Sequence, residues 1–214
     1  MKSPDSATPL RVDFVGGRMA HRRRFGGGRG QPLARAIGVR GTPAPRVVDA
    51  TAGVGTDAFV LASLGCTVTL IERLPEAAAA LRAALAEACA HRDTGAIAER
   101  MTVVEGDAIA LLAAPELDAP EVVYIDPMYP RSKHTAANAR AMQRLQCLAG
   151  ADTDSDQLLD VALNVATRRV VVKRPRTAPC LAGPAPSGDV RSTHTRYDLY
   201  GGALLRAVRT AEAD

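Results

Sequence analysis

From Arg46 onward the chain alternates between two kinds of apolar block. Short runs with little polar interruption, RVVDAT, TVTLIE, MTVVEGD, EVVYIDP and RRVVVKRP, read as strands buried on both faces. The stretches between them carry helical spacing. Asp57–Gly65 predicts a helix closed by its glycine, and Pro75–His91 an alanine-rich helix with proline in its first turn. Ala108–Ala114 predicts a short helix, and Ser155–Arg168 an amphipathic one with Ser155 as N-cap. After a proline- and glycine-rich loop, Thr177–Asp189, the segments TRYDLY and ALLRAVR flank Gly201 and Gly202 and predict a terminal β-hairpin. Before Arg46 the pattern is poor. Residues 1–10 are polar and read as frayed. Residues 11–45 are dominated by glycine and arginine and read as an arm packed on the domain, with a short helix over Pro32–Ile37.

Strands alternating with helices imply an α/β fold with a mainly parallel sheet covered on both faces. Five strand–helix units followed by an antiparallel hairpin give seven strands. That layout departs from the ordinary dinucleotide fold and matches the Rossmann-like sheet of S-adenosylmethionine-dependent methyltransferases. No internal repeat or second domain is visible, so the chain divides into a basic Gly/Arg-rich arm, 1–45, and a methyltransferase domain, 46–214.

Hydrophobic residues make up 47% of the chain, which excludes a disordered polymer. No apolar run is long enough to cross a bilayer, and the N-terminus lacks a secretory stretch, so a cytoplasmic protein is expected. Cys66, Cys89, Cys147 and Cys180 form no C-x-x-C pair and have no histidine at ligand spacing, so no metal is expected. The net charge of +4 says little, but its distribution says more. Arg18, Arg22, Arg23, Arg24 and Arg29 crowd one glycine-interleaved segment, and Lys173, Arg174 and Arg176 form a second cluster. Such clusters suit a polyanion, since each phosphate contact releases counterions.

In an open parallel sheet the ligand lies at the carboxyl ends of the strands, where strand order reverses. The residues just past the strands are Asp49, Gly53 and Gly55, then Glu72, Asp107 and Asp126. Glycines let the backbone approach a ligand closely. Glu72 can accept from two ribose hydroxyls, and Asp107 from an adenine amine with the Ala108 N–H beside it. Asp49 or Asp57 could hold a methionine ammonium. Gly53-x-Gly55-x-x-Ala58 also fits a dinucleotide fingerprint, with Glu72 near the right distance. A carboxylate at Asp49 would repel a pyrophosphate but tolerate a sulfonium and an ammonium, which favours S-adenosylmethionine. Turn or helix capping is the plainer role for Asp49 or Asp107 taken singly.

Asp126-Pro127-Met128-Tyr129-Pro130 follows the fourth strand. An exocyclic amine on a base is a poor nucleophile because its lone pair is delocalised into the ring. An acceptor for its N–H groups restores electron density on nitrogen and fixes its direction. Asp126 and the Pro127 carbonyl can accept, and Tyr129 can stack on the base.

Asp13–Gly30 (DFVGG-x-MAHRR-x-FGGGRG), Val47–Cys66, Asp126–Pro130, Arg168–Pro175 and the closing TRYDLYGG together resemble the ribosomal RNA small subunit methyltransferase J family over about Val12 to Gly201. The resemblance implies methyl transfer from S-adenosyl-L-methionine, leaving S-adenosyl-L-homocysteine, to guanine N2 of 16S rRNA. It implies the small-subunit RNA or the 30S particle as partner, and no metal. It places cofactor contacts at Thr56, Asp57, Glu72, Arg73, Asp107, Ala108 and Asp126, to which the reading of the residues adds Asp49 and Gly53. RNA contacts are expected at Arg22, Arg23, Arg24, Arg29 and Lys173, and catalytic roles at Asp126, Pro127 and Tyr129. Thr56 stands where the family pattern has arginine, Asp107-Ala108 where small hydroxyl residues are common, and Tyr129 where phenylalanine is usual. The family pattern also has a further portion before the DFVGG motif. The alternatives are adenine-N6 or glutamine-N5 methylation, or an RNA-binding assembly factor without turnover.

Overall fold

The structure, a computed structural model, describes residues 10–25, 27–114, 119–127, 154–202 and 204–205. In chain order these form α1 (Gly17–Phe25), a 3-10 turn (Gly28–Gly30), α2 (Pro32–Ile37), β1 (Arg46–Asp49), α3 (Thr56–Ser63), β2 (Thr67–Glu72), α4 (Pro75–Ala90) and α5 (Gly95–Ala98). Then follow β3 (Met101–Glu105), α6 (Ala108–Ala113), β4 (Val122–Ile125), α7 (Ser155–Val165), β5 (Arg169–Pro175), β6 (Gly188–Arg191) and β7 (Thr195–Gly201).

The strands make one seven-stranded sheet in the order β3-β2-β1-β4-β5-β7-β6. β3, β2, β1, β4 and β5 run parallel, and β7 lies antiparallel between β5 and β6. Successive residues of the central strands point to opposite faces, and both faces are covered. Val47, Leu70, Val122, Tyr124 and Val171 pack toward one layer with α2, α3 and α4. Val48, Ile71, Val123, Ile125, Val170 and Val172 pack toward the other with α7. This two-sided burial is why the strands read as unbroken apolar runs. In α4 the buried residues Ala77, Ala78, Leu81, Ala84, Leu85 and Ala88 recur at helical spacing, as do Leu158, Leu159, Ala162 and Leu163 in α7.

Strand order reverses between β1 and β4. The chain leaves β1 toward β2 and β3, then returns to build β4 and β5 on the opposite side. The loops leaving β1 and β4 therefore diverge and open a crevice at the carboxyl edge.

The arm is part of the domain core. Val12, Phe14, Met19 and Leu33 share one cluster with the strand residues, and the Phe14 ring stacks on Phe59 of α3 with centroids 4.9 Å apart. Residues of the arm also form a helix, α1, where sequence periodicity was too weak to predict one. Two further expectations are corrected. The residue in the N-cap position of α7 is Asp154, one before Ser155, and it makes no side-chain capping bond. The hairpin partner of β7 is β6, which begins in the last two residues of the stretch read as loop and runs two residues past it; Ser187 N–H and Oγ both bond the Leu199 carbonyl and fix the entry. The segment after Gly202 had been assigned that role; Leu204 and Leu205 are helical, and the rest of it lies outside the described residues.

Phe14→Ala removes a fully buried, stacked ring and is expected to cost about 3–5 kcal/mol of unfolding free energy. Denaturant titration checks this, and a loss well below 1 kcal/mol would mean the arm does not belong to the core.

Candidate active site

The carboxyl edge of the sheet gathers acids from different elements around one lysine. Asp49 ends β1, Asp57 lies in the first turn of α3, and Asp126 follows β4. Lys173, on β5, reaches between two of them: its Nζ donates to Asp57 Oδ2 at 2.7 Å and to Asp126 Oδ2 at 2.7 Å. Asp57 is held from two further sides. Arg22 Nη2, from α1, donates to its Oδ1 at 2.9 Å, and the Tyr124 hydroxyl, from β4, donates to its Oδ2 at 2.8 Å. The Asp126 backbone N–H donates to Thr51 Oγ1 at 2.6 Å, which ties the loop after β4 to the turn after β1.

The electrostatics follow from these contacts. Burial alone would push the Asp57 carboxyl up, but Lys173 and Arg22 outweigh it and hold the group at about 2. Burial would lower Lys173, but Asp126 and Asp57 keep its ammonium charged well above the ordinary range. Among the described residues no cation is hydrogen-bonded to Asp49. Burial dominates, the Thr51 N–H offsets it only partly, the neighbouring Asp57 and Asp126 repel the charge, the nearby Lys173 compensates least, and the carboxyl is pushed up to about 8. Two carboxylates balance two cations in the cluster, so a third negative charge at Asp49 is disfavoured.

The turn after β1 is braced from β2. The Gly53 N–H donates to Glu72 Oε2 at 2.8 Å and the Leu74 N–H to Glu72 Oε1 at 2.9 Å, so Glu72 is held at the mouth of the crevice. Gly53 and Gly55 take positive φ, +55° and +68°. A Cβ on Gly53 would meet only the Thr51 carbonyl at 3.9 Å, so that face is open, whereas one on Gly55 would strike Leu81 at 2.8 Å and Phe14 at 2.9 Å. The two glycines therefore serve different needs: Gly53 faces open space, and Gly55 permits the packing beneath. Asp107 accepts from the Ala110 N–H at 2.9 Å and caps α6. Arg73 pairs with Asp154 at 2.9 Å across the same edge.

Residues 1–202 match the family described as "Putative SAM-dependent methyltransferase". The Ribosomal RNA small subunit methyltransferase J of Pseudomonas fluorescens is 48% identical over 204 residues, 95% of this chain and 78% of the relative. The protein of the same name from Laribacter hongkongensis is 54% identical over 189 residues, 88% of this chain and 67% of that one. The chain belongs to the ribosomal RNA small subunit methyltransferase J family. A crystal structure of a SAM-dependent methyltransferase from Neisseria gonorrhoeae superposes with a TM-score of 0.72 at 38% identity, over 90% of this chain and 74% of that one. The cofactor of the family is S-adenosyl-L-methionine.

Against that family background, the predicted site residues separate into groups. Asp49, Gly53, Thr56, Asp57, Glu72, Asp107 and Asp126 come together at the carboxyl edge, with Arg73 and Ala108 beside them. The chemistry of these residues fits the cofactor: Glu72 is a braced carboxylate, and Asp49 is a buried acid with no hydrogen-bonded cation among the described residues. Asp57, weighed with Asp49 as holder of an ammonium, is already paired with two cations, Arg22 and Lys173, and bonded by Tyr124. Lys173 and Arg22, expected to meet RNA phosphates, pair with carboxylates, while their side chains keep 21% and 35% of their exposure. Arg174 is likewise buried and donates to the Pro179 carbonyl. Arg29 is exposed. Pro127 is buried. Tyr129 and the side chains of Arg23 and Arg24 lie outside the described residues. Tyr124 and Thr51 were missed by sequence reasoning, since one sits inside an apolar strand and the other in a turn that had been read for its glycines.

The folded chain holds a proton on Asp49 that the unfolded chain releases near 3.8. This site's contribution to stability of the cofactor-free protein therefore falls as pH rises from 3.8 to about 8. Asp49→Asn is expected to remove that component. Urea midpoints of both proteins across the pH range check it, and parallel curves would show that Asp49 is not protonated in the fold.

Proposed function

We propose that this chain transfers the methyl group of S-adenosyl-L-methionine to the exocyclic N2 of a guanine in small-subunit ribosomal RNA. The observation that carries the reading is Asp126, fixed at the strand-order reversal beside the open face of the Gly53 turn. The names of the relatives point to small-subunit RNA as substrate.

In this reading Glu72 accepts from the ribose hydroxyls, and the Asp107 carboxylate with Ala108 receives the adenine. Asp49 holds the methionine ammonium. The bound cofactor supplies an electrophilic methyl on a sulfonium. Asp126 and the Pro127 carbonyl accept from the guanine amine and point its lone pair at that methyl, with Tyr129 stacking on the base. The amine gains a C–N bond, the S–C bond breaks with its electron pair left on sulfur, and the methylated amine then loses a proton to solvent. Positioning accounts for most of the rate, because the thioether is already a good leaving group. Arg29, which is exposed, contacts RNA phosphates, and Arg23 and Arg24 of the same basic segment are assigned the same role from the sequence.

Two measurements test this. Labelled cofactor is expected to mark the 16S RNA or the 30S particle of cells lacking the modification, and digestion with mass spectrometry to yield N2-methylguanosine. N6-methyladenosine, or label on protein alone, would overturn the substrate. Because the ammonium must displace the Asp49 proton, cofactor affinity is expected to rise with pH up to about 8. The slope is at most about tenfold per pH unit. Asp49→Asn is expected to flatten this dependence in calorimetric titrations; an unchanged slope would remove Asp49 from the ammonium site.

A further inference from the structure

Lys173 was singled out by its place in a basic cluster, yet its surroundings are those of an active-site component. It is the residue of β5 that stands next to the end of β4, and β5 pairs with β4 in register up to Ile125↔Val172. One residue beyond that pair on each strand, Asp126 and Lys173 meet at 2.7 Å. The ammonium has a second fixed point at Asp57, 2.7 Å away. Asp57 cannot swing, because Arg22 holds one oxygen and Tyr124 the other. The side chain of Asp126 is about one-third exposed and that of Asp57 only a tenth, so the lysine joins a carboxylate at the crevice to one set in the core.

We infer that Lys173 is a positioning residue for methyl transfer: anchored on Asp57, it fixes the orientation of the Asp126 carboxylate that receives the substrate amine. This rests on the proposed role of Asp126. A carboxylate on a loop can rotate about its side-chain bonds, and each rotamer presents its lone pairs in a different direction. The bond to Nζ selects one of them. It also determines from which side an amine can approach, because the lysine occupies the other. The charge matters as well. An ionised Asp126 accepts from the amine, whereas a protonated one would donate and compete. The groups facing this pair are Asp49 from β1, Asp57 from α3, Arg22 from α1, Tyr124 from β4 and Tyr197 from β7. Among the described residues Lys173 is the cation that bonds Asp126 directly.

The test compares Lys173→Met, the paired variant Asp57→Asn with Lys173→Met, and Asp126→Ala with the unaltered full chain. Substrate is the unmodified small subunit, and S-adenosylhomocysteine affinity is measured alongside. Lys173→Met is expected to lower kcat by about a hundredfold while the KM for RNA and the S-adenosylhomocysteine Kd stay within about threefold. Its acid limb is expected to move to higher pH, because Asp126 has lost its cation. The paired variant removes one cation together with one carboxylate, so it is expected to fold even where the single variant does not. It is still expected to be slow by at least about thirtyfold. A paired variant within about threefold of the unaltered kcat would overturn the proposal, since Lys173 would then only be balancing Asp57. An unmoved acid limb in a slow Lys173→Met would also overturn it. Asp126→Ala, which leaves no side-chain acceptor, separates the two readings. Full activity there would remove Asp126 as acceptor and this inference with it. Loss there with an active Lys173→Met would remove Lys173 alone.

Discussion

Acids brought together at the ends of parallel strands must be neutralised, and that requirement organises this edge of the molecule. β1 and β4 are neighbours, so Asp49 and Asp126 are carried to the same edge, and α3 brings Asp57 beside them. Left alone, three buried or half-buried carboxylates would repel one another and lose hydration. Lys173 and Arg22 answer two of the charges, and a proton on Asp49 answers the third. The cations come from β5 and from the arm, so the site is complete only when the last parallel strand and the N-terminal segment are both in place.

The arm is thereby drawn into two tasks. Its apolar residues, Phe14 above all, fill the layer beneath the Gly53–Gly55 turn, and Arg22 on the following helix reaches Asp57. Gly55 shows how closely these are linked. A side chain there would collide with the same Phe14 ring that anchors the arm, so the shape of the turn and the docking of the arm are one packing problem. The segment read as an arm packed on the domain is also a wall of the site and part of its charge balance.

The unbalanced member of the cluster is also the informative one. Asp49 is buried with its carboxyl pushed up to about 8, and a strongly perturbed acid in a crevice is of the kind that functional sites carry. Asp57, which looked equivalent in sequence, is already satisfied by protein cations. Two acids eight residues apart thus have opposite electrostatic characters, because one is hydrogen-bonded to a lysine and an arginine and the other feels the lysine only at a distance.

The sequence by itself determined the strands, most helices and the sheet class, because residues buried on both sides of a parallel sheet leave long apolar runs and helices leave a three-to-four spacing. It also placed Asp49, Glu72, Asp107 and Asp126 at strand ends, since topology alone decides which end of a parallel strand faces the crevice. It could not decide the hairpin partner: Gly188–Arg191 is a short polar strand at the edge of the sheet, and its pairing is set by register with β7 rather than by hydrophobic pattern. Nor could it distinguish a lysine that meets solvent from one that bridges two carboxylates. That depends on side chains distant in sequence, 47 and 116 residues from Lys173, meeting within hydrogen-bond reach, and only the folded sheet brings them there.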